Sequence, residues 1–262
     1  MNLLLFARHE LEGSRLRLTD RRARHILTVL RLQPGDSLRL GMINGGRGSG
    51  RVCRVEGGCV ELDVTLTAPG PAAGGVKLIL ALPRPIMLRR VLKQATVLGV
   101  RRFHLIRSRR VQKSFFQTTL LQPDNLEALL VQGLEQAMDT RLPEVFIHHR
   151  FKPFIEDVVP ALVSGCRLFA HPDEPATLPD LFAAGEIRGD PVLAIGPEGG
   201  WSDYEAECFK ARGFRGFSMG SRILHVDTAV VALLAQLQLL RDLHPESLLC
   251  KDGAQVNSWQ GA

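Results

Sequence analysis

The sequence predicts an α/β protein with a mainly parallel sheet, preceded by a small β-rich domain. Residues 1–70 contain closely spaced alternating strands joined by glycine-rich turns, which favours a small barrel. From residue 76 to residue 243, apolar strands alternate with helical segments, which is typical of a parallel sheet with helices on both faces. Between them, residues 68–75 have the proline and glycine content of a linker.

In residues 1–70, Thr19 is expected to cap a short helix at 20–30, before a turn at 33–36. The predicted strands are 37–43, 51–56 and 59–66. Three basic residues lie around the helix: Arg24, His25 and Arg31. They form either a solvated basic face or a set of phosphate contacts to a structured RNA.

Six strands are predicted in residues 76–243, at 76–82, 103–106, 145–148, 167–170, 192–195 and 214–218. Predicted helices include 86–98, a helix capped by Asp124, 154–163 and the apolar helix 229–240. Ser202 and Glu205 predict a capping box for a further helix, which Gly213 would end. Residues 244–262 are polar with isolated apolar positions and are expected to form a disordered tail.

The charge balance indicates a polyanionic partner. Of the 262 residues, 33 are Lys or Arg and 27 are Asp or Glu, giving a net charge of +6. The densest basic segment, residues 101–110, overlaps a predicted strand and includes Arg107 and Arg109. If the sheet is parallel, charges at that strand's carboxyl end lie beside the glycine loops, where they would hold RNA phosphates; solubility is the alternative.

Several classes of protein are not indicated. Five scattered cysteines without a C-x-x-C pair predict neither a zinc ribbon nor a disulfide framework, and fit a reducing cytoplasm. No apolar run reaches membrane-spanning length. The motifs G-x-G-x-x-G, G-x-x-x-x-G-K-[ST], H-E-x-x-H and G-x-S-x-G are all missing. We therefore expect no metal, and the transfer of a small group from a polar cofactor rather than hydrolysis by a triad.

Two consecutive strands each run into a glycine-containing loop. The first loop spans residues 196–200 and the second spans residues 219–224. In open α/β sheets ligands bind beyond the carboxyl ends of the strands, and glycine lets the backbone approach a ligand closely. One such loop is commonly an ordinary tight turn, but two in succession favour a binding site.

These loops also carry a family resemblance. Residues 195–201, Ile-Gly-Pro-Glu-Gly-Gly-Trp, and residues 220–229, Gly-Ser-Arg-Ile-Leu-His-Val-Asp-Thr-Ala, resemble the signature loops of the RsmE family. Further matching positions are 24–25, 81–85, 98–100, 107–108, 133–137 and 141–143. The RsmE family consists of 16S ribosomal RNA uracil-N3 methyltransferases of the SPOUT superfamily. The resemblance implies an N-terminal PUA-like β-barrel, a C-terminal α/β domain with a deep trefoil knot, and a homodimer.

The resemblance also implies a cofactor, S-adenosyl-L-methionine, held by three loops. The residues expected to bind it are Ala170, His171, Ile195, Gly196, Gly199, Gly200, Met219, Gly220, Ile223 and Leu224. The acceptor nitrogen must lose a proton, so a base and a charge-stabilising group are expected. The candidates are Arg222, Glu198, Asp227 and His225. Alternatively, Asp227 caps the last helix and Glu198 only shapes its loop.

Two positions depart from the family pattern, which usually has arginine at His225 and glutamate at Asp227. The expected function is methylation of uridine N3 in 16S rRNA or in the assembled small ribosomal subunit, in the cytoplasm. Methylation of a ribose 2′-oxygen or of a tRNA guanine is an alternative within the superfamily. A non-catalytic ribosome-assembly factor is an alternative from another class. This alternative rests on His225, which replaces the usual arginine of the family.

Overall fold

The computed structural model describes residues 2–70, 74–162 and 165–243. The centre of the expected linker, the end of the predicted helix 154–163 and the predicted disordered tail 244–262 lie outside the described residues.

The N-terminal part forms a curled, six-stranded sheet. Its strands are β1 (Leu4–Phe6), β2 (Leu11–Glu12), β3 (Arg15–Leu18), β4 (Ser37–Met42), β5 (Arg47–Glu56) and β6 (Cys59–Ala68), in the order β1-β4-β5-β6-β3-β2. β1 pairs with β4 in parallel, and the other pairs are antiparallel. Alternate side chains, such as Leu16, Leu18 and Leu62, point into a core that also buries Ile26.

The helix of this part begins one residue later than predicted. α1 (Arg21–His25) continues into a π-helical turn over Ile26–Leu30. The expected cap at Thr19 is wrong, since the carboxylate of Asp20 accepts the backbone N–H of Arg22 at 2.8 Å. Aspartate is as good an N-cap as threonine, and here its position fits the first free N–H groups.

The C-terminal part contains the predicted parallel sheet. Its strands are β7 (Val76–Ala81), β8 (Val100–Ile106), β9 (Glu144–His148), β10 (Cys166–Ala170), β11 (Pro191–Ile195) and β12 (Arg215–Phe217). They lie in the order β12-β10-β11-β7-β8-β9, and every pair is parallel. The carboxyl ends of all six strands therefore lie at one edge, which confirms the expected placement of the loops.

Six helices surround this sheet in the described residues. They are α2 (Pro85–Val97), α3 (Pro123–Ala137), α4 (Phe151–Pro153, extended by turns to Ala161), α5 (Leu178–Ala183), α6 (Asp203–Ala211) and α7 (Val226–Leu243). The predicted capping box of α6 is confirmed, and so is Gly213, which follows that helix with a φ of +79°. The expected cap of α3 is wrong: Gln122 occupies the N-cap, and Asp124 lies in the first turn. α4 starts at Phe151, three residues before the prediction.

The two sheets contact each other through α3 and the segment after it. The side chain of Arg21 pairs with the buried carboxylate of Glu135 at 3.1 Å. The hydroxyl of Thr140 donates to the carbonyl of Gly45 at 2.7 Å, and Leu3 and Leu5 pack against Leu134. Part of the family-like segment 133–137 therefore joins the two parts of the molecule, at a distance from the glycine loops.

Within the described ranges, no helix has both the length and the apolar character needed to cross a membrane.

Candidate functional site

Three loops meet at the carboxyl edge of the parallel sheet, each following one of the adjacent strands β10, β11 and β12. Together with the first turn of α7 they enclose a cleft with a volume of about 110 Å³. The cleft is open to solvent on one side, where the β12 loop is exposed.

The β11 loop is held in a fixed conformation. The N–H of Gly200, which has a φ of +72°, donates to the carbonyl of Pro197 at 2.8 Å. A side chain at Gly196 would place its Cβ 3.3 Å from the ring of Trp201. That ring is buried and meets Phe209 edge to face, with 4.9 Å between the ring centroids. The loop therefore presents mainly backbone to the cleft, together with the side chains of Pro197 and Glu198.

The loop after β12 is the exposed wall of the cleft. Met219, Gly220, Ile223 and Leu224 line it, and Gly220 has a φ of +90°. Ile223 is 81% exposed, so its apolar side chain is accessible to a ligand. Arg222 also lines the cleft, and its guanidinium makes no ion pair or hydrogen bond with any residue that the structure describes.

The loop after β10 contributes Ala170, His171 and Pro172. The backbone N–H of His171 donates to the carbonyl of Phe217 at 2.9 Å, which joins this loop to the end of β12. Its ring nitrogen Nδ1 accepts the N–H of Asp173 at 3.2 Å. Both bonds fix the backbone of the loop beside the cleft.

Nine of the ten residues predicted to bind the cofactor lie around this one cleft, and Gly199 is the exception. The carbonyl of Gly199 accepts a hydrogen bond from Nη1 of Arg110, so this glycine contacts the segment that follows β8. Sequence reasoning missed four lining residues: Pro172, Pro197, Val226 and Ala229. They supply apolar surface, and the two prolines belong to loops that the sequence had already indicated.

Of the four candidate catalytic residues, Glu198 and Arg222 line the cleft. His225 is exposed, and its carbonyl accepts the N–H of Ala229 at the start of α7. Asp227 pairs with Arg90 of α2 at 3.5 Å and accepts the N–H of Thr228 at 3.0 Å. Its carboxylate is therefore engaged at the helix start and at the contact with α2.

The predicted RNA-binding residues fall into two groups. Arg24 and Arg31 are exposed on the N-terminal part, where His25 has a buried Nε2 without a hydrogen-bond partner among the described residues. Arg107 and Arg109 lie on the C-terminal part, in a second pocket beyond the ends of β8 and β9. The two groups thus belong to different sheets.

The structure divides the basic segment 101–110 into two parts. Arg101 pairs with Asp139 at 2.7 Å and Arg102 pairs with Glu144, so acidic partners neutralise the first two charges. These two residues lie near the start of β8, whereas Arg107, Arg109 and Arg110 follow its end. The arginines with acidic partners therefore lie at the start of β8, and the others lie at its end, on the same edge of the sheet as the cleft.

The cleft suits a polar ligand with flat, partly apolar surfaces. Its walls combine apolar side chains with loop backbone, and the N–H groups of Met219, Gly220 and Leu224 have no partner among the described residues. Such a combination of apolar walls with a few polar groups is typical of cofactor sites. Over the described part of the chain, no group of three or more His, Cys, Asp or Glu side chains could hold a metal ion.

Comparison with known families defines the class. A family model described as an RNA methyltransferase domain matches residues 71–238, and a model described as an RNA methyltransferase PUA domain matches residues 18–56. The combination of a curled N-terminal sheet with a parallel sheet and its loop-built cleft is thus that of an RNA methyltransferase with a PUA domain.

Relatives of known name make the assignment more specific. Ribosomal RNA small subunit methyltransferase E of Treponema pallidum is 34% identical over 239 residues, which are 90% of each chain. The protein of that name from Synechocystis is 27% identical, over 90% of this chain and 77% of its own. The Neisseria gonorrhoeae protein of that name, solved bound to S-adenosyl methionine, has a TM-score of 0.72 at 22% identity, over 91% of this chain and 98% of its own. The chain belongs to the ribosomal RNA small subunit methyltransferase E family.

Proposed function

We propose that this protein transfers a methyl group from S-adenosylmethionine to N3 of one uridine in 16S ribosomal RNA. The observation that carries the proposal is the single cleft in which nine of the ten predicted cofactor residues meet, with Glu198 and Arg222 at its rim. The family supports RNA as the substrate, and the relative from Neisseria gonorrhoeae was solved with S-adenosyl methionine.

The residues of the cleft fit this cofactor. Adenine and ribose need hydrogen-bond donors and acceptors close to flat apolar walls. The glycine-containing backbone of the β11 and β12 loops offers the polar groups, and Ile195, Met219 and Leu224 offer the walls. A Cβ at Gly196 would lie 3.3 Å from the ring of Trp201, so a side chain at this position would be tightly packed.

When bound, S-adenosylmethionine supplies an electrophilic methyl group: the methyl–sulfur bond breaks as the N3–carbon bond forms, and sulfur keeps the bonding electrons. Glu198 is positioned at the rim of the cleft to accept the N3 proton of the uracil. The guanidinium of Arg222, which has no partner among the described residues, would stabilise the negative charge that then spreads onto the ring oxygens. Asp227 fixes the start of α7 through Arg90 and Thr228, and exposed His225 is left to contact RNA.

The rest of the architecture follows the family resemblance in this proposal. Residues up to 70 form a PUA-like RNA-binding domain, and residues 76–243 form the catalytic domain, with the β11 and β12 loops in a trefoil knot. The protein acts as a homodimer in the cytoplasm, where ribosomal subunits are assembled. A monomer in analytical ultracentrifugation would contradict the homodimer, and a crystal structure without a knot would contradict the trefoil. Neither result would contradict the proposed reaction.

The test uses small ribosomal subunits from cells that lack this protein, with isotopically labelled S-adenosylmethionine. We expect one labelled methyl group per subunit, recovered as 3-methyluridine by nucleoside mass spectrometry. Label on a ribose or on guanine would contradict the position. No label, together with no heat of S-adenosylmethionine binding in calorimetry, would contradict an enzymatic role.

A further inference from the structure

A second, larger pocket lies at the same edge of the sheet. It follows the ends of β8 and β9 and has a volume of about 510 Å³. Its walls come from the segment after β8, the first turn of α4 and the start of α6. Because β8 and β9 lie on the other side of β7 from β10 and β12, this pocket and the cofactor cleft occupy opposite halves of one edge.

The pocket is strongly basic. Arg107, Arg109 and Arg150 line it, and none of the three makes an ion pair with any residue that the structure describes. Lys152 also lines it and is held only by an exposed contact of 3.7 Å to Glu156, which a stronger anion would displace. Guanidinium groups bind phosphate through paired, parallel hydrogen bonds, so this arrangement fits a phosphodiester.

The one carboxylate in the pocket is already satisfied. Glu205 is buried, and one of its oxygens accepts the backbone N–H of Arg109 at 2.7 Å. The other oxygen accepts the N–H and the hydroxyl of Ser202, both at 2.9 Å. Its charge therefore positions the backbone of Arg109 and leaves the guanidinium of that residue free to point at a ligand.

Two further features indicate a nucleotide rather than a simple anion. Phe151 and the exposed Tyr204 both line the pocket, with their ring centroids 6.4 Å apart and their planes tilted by 59°, and unstacked bases bind to such aromatic side chains. The hydroxyl of Ser108 lines the pocket, is 3% exposed and has no hydrogen-bond partner among the described residues. A buried polar group of this kind is normally satisfied by a ligand or a water molecule.

We infer that this basic pocket binds a nucleotide of the substrate RNA that neighbours the methylated uridine. The phosphate of this nucleotide lies on Arg109 and Arg150, and its base stacks on Tyr204. The inference rests on the proposed function, because it gives the methyltransferase its RNA subsite. It places the acceptor strand across the edge of the sheet, from the basic pocket to the cofactor cleft.

The test measures methyl transfer to unmodified small subunits by the full-length protein. We expect Arg109→Glu and Arg150→Glu each to raise KM for subunits at least 10-fold, with S-adenosylmethionine affinity within twofold of the wild type. Each lost phosphate contact should also lower the slope of log K against log salt by ~0.7–0.9. The matched control is Arg188→Glu, an exposed arginine before β11 at the opposite edge of the sheet.

The stacking part is tested separately. Tyr204→Ala should raise KM by roughly 10-fold, and Tyr204→Phe should restore it because the aromatic ring is retained. If the wild type methylates subunits while the arginine and tyrosine variants keep its KM and salt dependence, the inference is wrong and the proposed function stands. If the variants bind protein-free 16S rRNA normally and fail only on subunits, the pocket binds a ribosomal protein and the inference is again wrong. A wild type without transferase activity would instead contradict the proposed function.

Discussion

Replacing His104 should make the protein less sensitive to acid. His104 lies on β8 and is 3% exposed, between the rings of Phe146 and Phe154. Burial, together with smaller effects of the nearby His148, Arg102 and Lys77, lowers the pKa of His104 from 6.5 to about 4. Burial also lowers the pKa of His148, whose Nε2 lies 3.1 Å from Nδ1 of His104.

The sign follows from which state binds the proton. Between pH 6.5 and about pH 4 the unfolded chain protonates this histidine and the folded chain keeps it neutral. The unfolded state therefore binds more protons, and the free energy of unfolding falls as the pH falls. At pH 4.5 the loss from this one group is ~2–3 kcal/mol relative to pH 7.

The assay is urea unfolding followed by circular dichroism, at pH values from 7 to 4.5, for the wild type and for His104→Phe. Phenylalanine keeps an aromatic ring between its two phenylalanine neighbours and cannot be protonated. We expect the wild type to lose ~2–3 kcal/mol more than the variant over this range. His9→Phe, at an exposed position, serves as the control and should keep the wild-type slope. Parallel curves for His104→Phe and the wild type would refute the reasoning.

Three further predictions concern the cleft and the helix packing. Arg222→Ala should lower kcat by ~10²–10³-fold and leave the affinity for S-adenosylmethionine, measured by calorimetry, nearly unchanged. Equal losses in kcat and affinity would show that Arg222 binds the cofactor instead. Gly220→Ala should weaken S-adenosylmethionine binding, because a φ of +90° costs an alanine ~1–3 kcal/mol, and unchanged affinity in calorimetry would contradict this. Gly133→Ala should lower the melting temperature, although alanine normally stabilises a helix. The reason is that the new Cβ would lie 2.9 Å from the carbonyl of Lys93 on α2. A higher melting temperature would show that α2 and α3 can move apart without a loss of stability.

The predictable parts of the fold were those that depend on neighbouring residues. The apolar runs that form β7 and β11 are typical of parallel strands, which are buried on both faces. The capping box joins Ser202 to Glu205, only three positions along the chain, so its pattern is visible in the sequence. β1 was missed, because a three-residue strand carries little pattern of its own and is fixed by its parallel pairing with β4, more than 30 residues away.

The site was predictable in composition and less so in its contacts. Gly200 and Gly220 mark the cleft because the backbone there has a positive φ, which favours glycine. The ion pair of Asp227 with Arg90, and the hydrogen bond from the backbone N–H of Arg109 to Oε1 of Glu205, join residues that are far apart in sequence. Charge density alone also could not separate Arg101 and Arg102, which have acidic partners, from Arg107 and Arg109, which make no ion pair with any described residue.

The cofactor cleft and the basic pocket are built from one continuous segment. Residues 196–198 and Gly200 line the cleft, whereas Ser202, Tyr204 and Glu205 line the pocket, and buried Trp201 lies between them. Arg110 joins this segment to the end of β8, because its Nη1 donates to the carbonyl of Gly199 and, at 3.4 Å, to that of Trp201. A methyl donor and an RNA strand bound at the two sites would therefore be held at a fixed separation.

Arg110→Ala removes this connection without changing a lining residue of either site. It should weaken S-adenosylmethionine binding and raise KM for subunits together, each by ~3–10-fold, which corresponds to the loss of about one hydrogen bond. Arg150→Glu, by comparison, should change only the KM, and Gly220→Ala mainly the cofactor affinity. If Arg110→Ala changed only one of the two quantities, the sites would be positioned independently, and the segment 196–205 would not set the distance between donor and acceptor.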